Sequence, residues 1–219
     1  MTDNLTLYLI RHGQSIQNTK PDMIGQEPME PLSHIGKWQA EKLGEYLVRT
    51  ETYFDEVYTS NYARARDTCL IVKDIMREGM LPFQEQTFSE LREYSAGEMT
   101  GSKRSEVLTP DVLTSMENLG MLFKFPNGES LFEVQQRAVS WLYDTVLSVP
   151  ADKHRHVALF SHGMTIKCLL QHFMQFDQRM TWRITLDNTS MSILEFKNNM
   201  CFLKCINSTQ HIPYRDTKP

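Results

Sequence analysis

Short apolar runs alternate with longer stretches of helical period along this chain. Residues 5–10, LTLYLI, predict a strand buried on both faces. A loop carrying Pro21, Gly25, Pro28 and Pro31 follows, and Ser33 then stands as an N-cap before a stretch with Ile35, Ala40, Leu43, Leu47 and Val48 at helical spacing. Residues 54–60, FDEVYTS, predict a second strand, and Ala65, Cys69, Val72 and Met76 mark a helix over 63–76. A turn signal at 79–82 precedes the polar stretch FSELREYSAGEMTGSKRSEV. Within 103–127, Pro110 breaks one helix while Gly120 and Pro126 bound another. Residues 129–146 form an amphipathic helix with Leu131, Val134, Ala138, Leu142 and Val146 on one side. HVALFS (156–161) predicts a third buried strand, followed by a helix over MTIKCLLQHFMQ. SMSILEF (190–196) and MCFLKCI (200–206) are two more strand-like runs, joined at 197–199. This alternation predicts an α/β fold, a sandwich with a mostly parallel central sheet. With no repeat, low-complexity segment or linker, residues 1–219 read as a single domain with an insertion at about 94–127 over one end.

Composition narrows the partners. The chain of 219 residues is 41% apolar and 23% charged, ordinary for a globular protein, and its net charge of −4 argues against nucleic acid or an anionic membrane as partner. Any positive site is therefore a local concentration. The N-terminal MTDNLTLYLI lacks a basic n-region and a long apolar core, and no apolar run approaches the roughly 18 residues of a membrane span. Glycosylation triplets at Asn4, Asn188 and Asn207 read as chance matches. Cys69, Cys168, Cys201 and Cys205 are not clustered by zinc spacing, and the last two read as buried thiols. The expectation is a cytoplasmic protein in a reducing compartment, with oligomeric state left open.

The chemistry gathers at strand ends. LYLI runs into Arg11-His12-Gly13, EVYTS into Asn61-Tyr62-Ala63-Arg64, and VALFS into His162-Gly163. In parallel α/β sheets ligands collect beyond the carboxyl ends of the strands, so two histidines and two arginines would converge there, with Glu90 and Glu93 from the polar segment nearby. An imidazole can attack phosphorus, arginine forks match phosphate oxygens, and a carboxyl group can protonate a leaving oxygen. The set specifies phosphoryl transfer through a phosphohistidine without metal or other cofactor. A glycine after each histidine would let backbone approach the anion, and the neighbouring arginines should keep His12 neutral.

These residues resemble the histidine phosphatase superfamily, the phosphoglycerate mutase-like family. RHGQSIQN (11–18), LSHIG (32–36), SNYARARDT (60–68), LREYSAGEMTG (91–101), PNGES (126–130) and FSHGM (160–164) occur in the family's order and cover the chain from Leu7 to about Ser192. The resemblance implies a three-layer α/β/α sandwich with a small lid, and His12 as the nucleophile. It puts Arg11, Arg64, His162 and Gly163 in the phosphate pocket, Glu93 as proton donor with Glu90 as its rival, and Asn18 and Ser15 in substrate-side and pocket-supporting places.

Other readings of the same residues are weaker. Arg66 reads as a solvated helix residue. His154 and His156 share an H-x-H spacing, but no carboxylate follows at the spacing metal hydrolases use. Ser161 fails as a nucleophile elbow because Leu159 stands where a glycine is needed, and neither a Walker A nor a dinucleotide motif occurs. Mutases of this family carry a long insertion with paired arginines after the glutamate. Here the gap to Gly128 is short, its basic residues being Lys103, Arg104 and Lys124, which favours a phosphatase acting on a small phosphorylated metabolite. A mutase, a phosphoprotein phosphatase and a non-catalytic phospho-ligand scaffold are the alternatives. Leu119, Met121, Leu122 and Phe123 would suit a substrate with a ring or carbon body.

Overall fold

The computed structural model describes residues 4–25, 27–79, 83–150 and 152–213. Among these residues one sheet is built from β1 (Leu5–Arg11), β2 (Glu56–Ser60), β3 (Glu85–Phe88), β4 (Arg155–Ser161), β5 (Met191–Lys197) and β6 (Met200–Ser208), in the order β3-β2-β4-β1-β5-β6. β3, β2, β4 and β1 are parallel, while β5 lies antiparallel to β1 and turns back into β6 through Asn198 and Asn199, both at positive φ. The helices are α1 (His34–Arg49), α2 (Ala63–Gly79), α3 (Arg104–Val107), α4 (Pro110–Leu119), α5 (Leu131–Leu142), α6 (Gly163–Met174) and α7 (Met180–Arg183).

The period of two along each central strand makes the layers. Leu5, Leu7 and Leu9 of β1, with Val157 and Leu159 of β4, pack against Ala138 and Leu142 of α5 and Ile166 and Leu169 of α6. The intervening Ile10, Ala158 and Phe160 face the other way, onto Leu43 and Leu47 of α1 and Cys69, Val72 and Met76 of α2. Each such fully buried leucine contributes about 1.5–3 kcal/mol. With both faces covered, the sheet has only its edges and strand ends left for function.

Caps fix where the helices start. Ser33 Oγ accepts from Gly36 N at the head of α1, and Ser130 and Glu133 form a reciprocal capping box at the head of α5. α5 continues into a π turn, Tyr143–Leu147.

Several expectations need correction. Strand β3 falls in sequence too polar to be recognised; as a short edge strand it exposes Gln86 and Thr87. Pro110 does not break a helix but opens α4, at its first turn behind the Thr109 cap, and Gly120 closes that helix at φ 53°. Between Gly120 and Pro126 stands a single 3-10 turn, Gly120–Leu122. Of the turn expected at 79–82, residues 80–82 lie outside the described residues. Cys201 and Cys205 are free but only partly buried, on edge strand β6. No helix among the described residues is long and apolar enough to cross a membrane.

Candidate active site

Register brings the two histidines together. Arg11 pairs with Ser161 across β1 and β4, so the next residues, His12 and His162, leave adjacent strands side by side with ring centroids 5.2 Å apart. β2 lies on the other side of β4 and ends at Ser60, whose Oγ is 2.8 Å from His162 Nε2. That hydroxyl also accepts the Tyr62 N–H and has a proton it can give to His162 Nε2; in that tautomer the imidazole Nδ1 is a donor. His162 Nδ1 is buried without a partner.

His12 is buried and its two nitrogens are differentiated. Nδ1 lies 2.6 Å from the Gly13 carbonyl oxygen, which can only accept, so the proton resides on Nδ1. Nε2 therefore carries a lone pair, and it accepts from Arg64 Nε at 3.2 Å. Burial, then the charges of Arg64 and Arg11, hold the His12 pKa well below the ordinary imidazole value. The same causes, burial first, act on His162.

Arg64 enters from the first turn of α2. It is fully buried, donates from Nη1 to the Glu27 carbonyl at 3.0 Å, and keeps Nη2 buried and unpartnered. Burial lowers its pKa to about 10, so it stays cationic at neutral pH. Arg11 donates from Nη1 to the Leu186 carbonyl, while its Nε is buried and unpartnered. Buried donors without acceptors are rare in folded proteins. Three of them flank one imidazole here.

Glu93 sits against the head of α6. Its Oε2 accepts from Met164 N (3.2 Å), and its Oε1 from Tyr94 N (2.9 Å) and Thr165 N (3.3 Å). Glu90 instead takes a hydrogen bond from its neighbour Ser89 and does not line the cavity described below. The loop bearing Glu93 is tied down by Arg137, which donates to the Glu90 and Glu93 carbonyls and to Glu129; Glu129 is also gripped by Arg92.

Asn18 Oδ1 accepts from Ser15 N at 3.0 Å and from Asn188 Nδ2 at 3.3 Å, leaving its own Nδ2 as the group it can offer a ligand. Ser15 is buried and its Oγ accepts from Asn18 N. Gly163 abuts Arg11 and Glu93, where a Cβ would find room at 3.6 Å from Arg11 Nε. Gly13 has a different reason: a Cβ there would meet the Gly36 carbonyl at 2.5 Å, so its smallness seats the head of α1 rather than an anion. Arg66 is solvated and close to Asp67. His154 and His156 bond Thr6 and Tyr8 at the far ends of β1 and β4.

Sequence reasoning missed the residues that hold the site. Arg137 and Thr165 belong to none of the motifs the sequence offers. Asn188, dismissed as part of a chance triplet, donates to the His12 carbonyl at 3.0 Å, and Thr189 N donates to the same oxygen. Only tertiary packing joins residues so far apart in the chain.

A cavity of about 310 Å³ opens onto Arg11, Asn18 and Glu93; His12, Arg64 and His162 are buried and do not line it. Its outer wall includes Arg104, Leu108, Met116 and Phe123, all from 94–127. Of the four apolar residues expected to face a substrate, Phe123 alone lines it. Met121 is buried in a core cluster, while Leu119 and Leu122 face solvent, because the Gly120 reversal turns them away.

Several known proteins are similar to this chain in sequence or fold. A broad-specificity phosphatase of Saccharomyces cerevisiae is 27% identical over 210 residues, covering 95% of this chain and 87% of that protein. A Yersinia enterocolitica protein named "Probable phosphoglycerate mutase GpmB" is 28% identical over 198 residues, 89% of this chain and 86% of that one. Among solved structures, Bacillus stearothermophilus YhfR superposes with a TM-score of 0.80 at 27% identity, covering 95% of this chain and all (100%) of that chain. The mycobacterial glucosyl-3-phosphoglycerate phosphatase shares the fold, with a TM-score of 0.77 at 23% identity over 93% and 98% of the two chains. The model of the histidine phosphatase superfamily, branch 1, matches residues 7–209, and the chain belongs to that family.

Proposed function

We propose that this protein hydrolyses phosphomonoesters of small metabolites by two successive transfers through His12. The observation that carries the reading is the trio of buried, unpartnered donors, Arg11 Nε, Arg64 Nη2 and His162 Nδ1, around an imidazole whose Nε2 bears a lone pair. A phosphoryl group supplies the acceptors those donors lack. As its oxygens take over the Arg64 donors, Nε2 is released for attack.

In the first transfer the Nε2–P bond forms, the P–O bond to the alcohol breaks, and Glu93 gives its proton to the leaving oxygen. In the second, water attacks phosphorus while the Glu93 carboxylate takes its proton, the Nε2–P bond breaks, and inorganic phosphate departs. Arg11, Arg64 and His162 hold the equatorial oxygens through both transition states, and Asn18 adds a donor from the substrate side. Relatives named as phosphatases support hydrolysis as the fate of the phosphoryl group. Residues 94–127 act as a lid on what is otherwise a single domain, and the free thiols suit a cytoplasmic setting.

One observation favours mutase-type transfer instead, the likeness to the protein named GpmB. p-Nitrophenyl phosphate hydrolysis in EDTA tests the main reading: wild type turns over and His12→Ala does not. Absence of wild-type hydrolysis, with 3-phosphoglycerate isomerised when its bisphosphate is added, would replace it with the mutase.

A further inference from the structure

The cavity above the phosphate site is built for more than a phosphate. Its wall carries Tyr94, Phe123, Phe125, Met116 and Trp182. A second cavity of about 280 Å³ shares Met116, Gly120 and Trp182 with the first, so the two run together as a groove along α4 and α7. Trp182 stands at that junction 53% exposed, a large indole facing water. Ligand sites of about 300–1,000 Å³ bury most of a bound molecule against such apolar walls. A three-carbon phosphate with its polar substituents would leave this wall wet.

The same cavity also holds an excess of positive charge, Arg11, Lys20 and Arg104 against the single carboxylate of Glu93. Lys20 and Arg104 both line it, from two segments tied together: Arg104 N donates to the Asp22 carbonyl, and Met23 pairs with Lys103. The nearby carboxylate of Asp22 accepts from the Ser105 N–H and hydroxyl and makes no ion pair with Lys20 or Arg104 among the described residues. Lys103 and Lys124 of the same region are paired with Glu106 and Glu133, whereas Lys20 and Arg104 have no side-chain partner among the described residues. Arg11 and Arg64 already answer the phosphate dianion. Two further cations call for a second anion. The outer cavity carries Glu117 and one cation, Arg179, whose fork is already taken by Asp177, so the free positive charge lies at the Lys20–Arg104 end.

We infer that the substrate is a phosphomonoester whose alcohol is a ring-bearing apolar body with a second acidic group. The ring lies on Phe123, Met116 and Trp182, and the acid on Lys20 and Arg104. This deepens the phosphatase reading and rests on it.

Four primary alkyl phosphates, matched in leaving-group character, separate the two features: propyl phosphate, 3-phosphoglycerate, benzyl phosphate and 4-carboxybenzyl phosphate. Expected kcat/KM is about tenfold or more higher for benzyl than for propyl phosphate, from burial of the ring. The carboxyl group should add a further factor of roughly two to ten through ion pairs with two exposed cations. Trp182→Ala should lower the benzyl-to-propyl ratio, and Lys20→Gln with Arg104→Gln the carboxybenzyl-to-benzyl ratio. All three side chains are exposed, so the variants should fold, and ratios within one variant cancel losses of active protein. A benzyl-to-propyl ratio near one, or a preference for 3-phosphoglycerate over both ring esters, overturns the apolar body. A carboxybenzyl-to-benzyl ratio near one, or one that the double variant leaves unchanged, overturns the second acid. Turnover of the small esters alone sinks only this substrate class, whereas no turnover of these four or of p-nitrophenyl phosphate removes the phosphatase reading as well.

Discussion

Arg64 Nε lies 3.2 Å from His12 Nε2, so the cation that would bind the phosphoryl group covers the lone pair that would attack it. The contact holds the imidazole in orientation and its charge disfavours protonation. Removing the fork in Arg64→Ala should lower kcat/KM by about 10³–10⁵, as loss of an arginine that stabilises phosphoryl transfer does. Arg64→Lys should recover little, because an ammonium cannot serve His12 and two phosphate oxygens from one plane. Steady-state kinetics of the two variants checks this.

The depressed histidines set the direction of two pH profiles. In the proposed reaction His12 must be neutral to attack, and burial with two neighbouring arginines holds it so until well below pH 6.5, the ordinary value. The acidic limb of kcat/KM assigned to His12 should therefore lie below the imidazole range. For stability, His12, His162 and His211 bind a proton less readily folded than unfolded, and burial brings His211 down to about 4 from 6.5. Their contribution is intact above about pH 6.5 and is lost as pH falls from there towards the folded values, because the unfolded chain takes protons first. Urea midpoints should drop between pH 7 and 5, and His211→Asn should flatten the drop.

Glu93 is proposed to protonate the leaving oxygen, so its importance should follow how much that oxygen needs a proton. Glu93→Gln should cost about 10²–10⁴ in kcat on alkyl phosphates. On p-nitrophenyl phosphate, whose leaving group departs as an anion, formation of the phosphoenzyme should be much less affected. Burst kinetics on the two substrate types separates these steps. Equal losses in the first step would argue against the assignment.

Glu129 is the anchor under that glutamate. Arg92 and Arg137 both bind it, and the Arg137 and Glu129 side chains are only 13% and 15% exposed. Glu129→Ala leaves two cations facing each other and should cost about 3 kcal/mol of stability, towards the lower end for breaking a buried pair. The same variant should lower kcat, because Arg137 loses the partner that aligns it with the Glu90 and Glu93 carbonyls. Denaturant titration alongside kinetics reads both effects.

The central strands were legible because each is an apolar run ending in a cluster of polar residues. β1 and β4 then place Arg11, His12 and His162 at one sheet end whatever the details of the loops. Arg64 was legible for a similar reason, as the second residue of the helix that leaves β2. Strand β3 was not, since it pairs with one neighbour and its central Gln86 and Thr87 face water. The outer cavity was illegible because a single reversal at Gly120 rotates Leu119 and Leu122 away and brings Met116 in from the preceding turn. Asn188 and Arg137 act on backbone carbonyls, and carbonyls leave no mark in a sequence.

The most direct test of the two-step account is the stereochemical course at phosphorus, using a phosphorothioate monoester made chiral with one heavy oxygen isotope and hydrolysed in water carrying the other, so that the thiophosphate released is itself chiral. Each in-line transfer inverts the centre, so passage through His12 and then to water predicts overall retention. Net inversion would mean that water attacks the substrate directly, and His12 would then have another role.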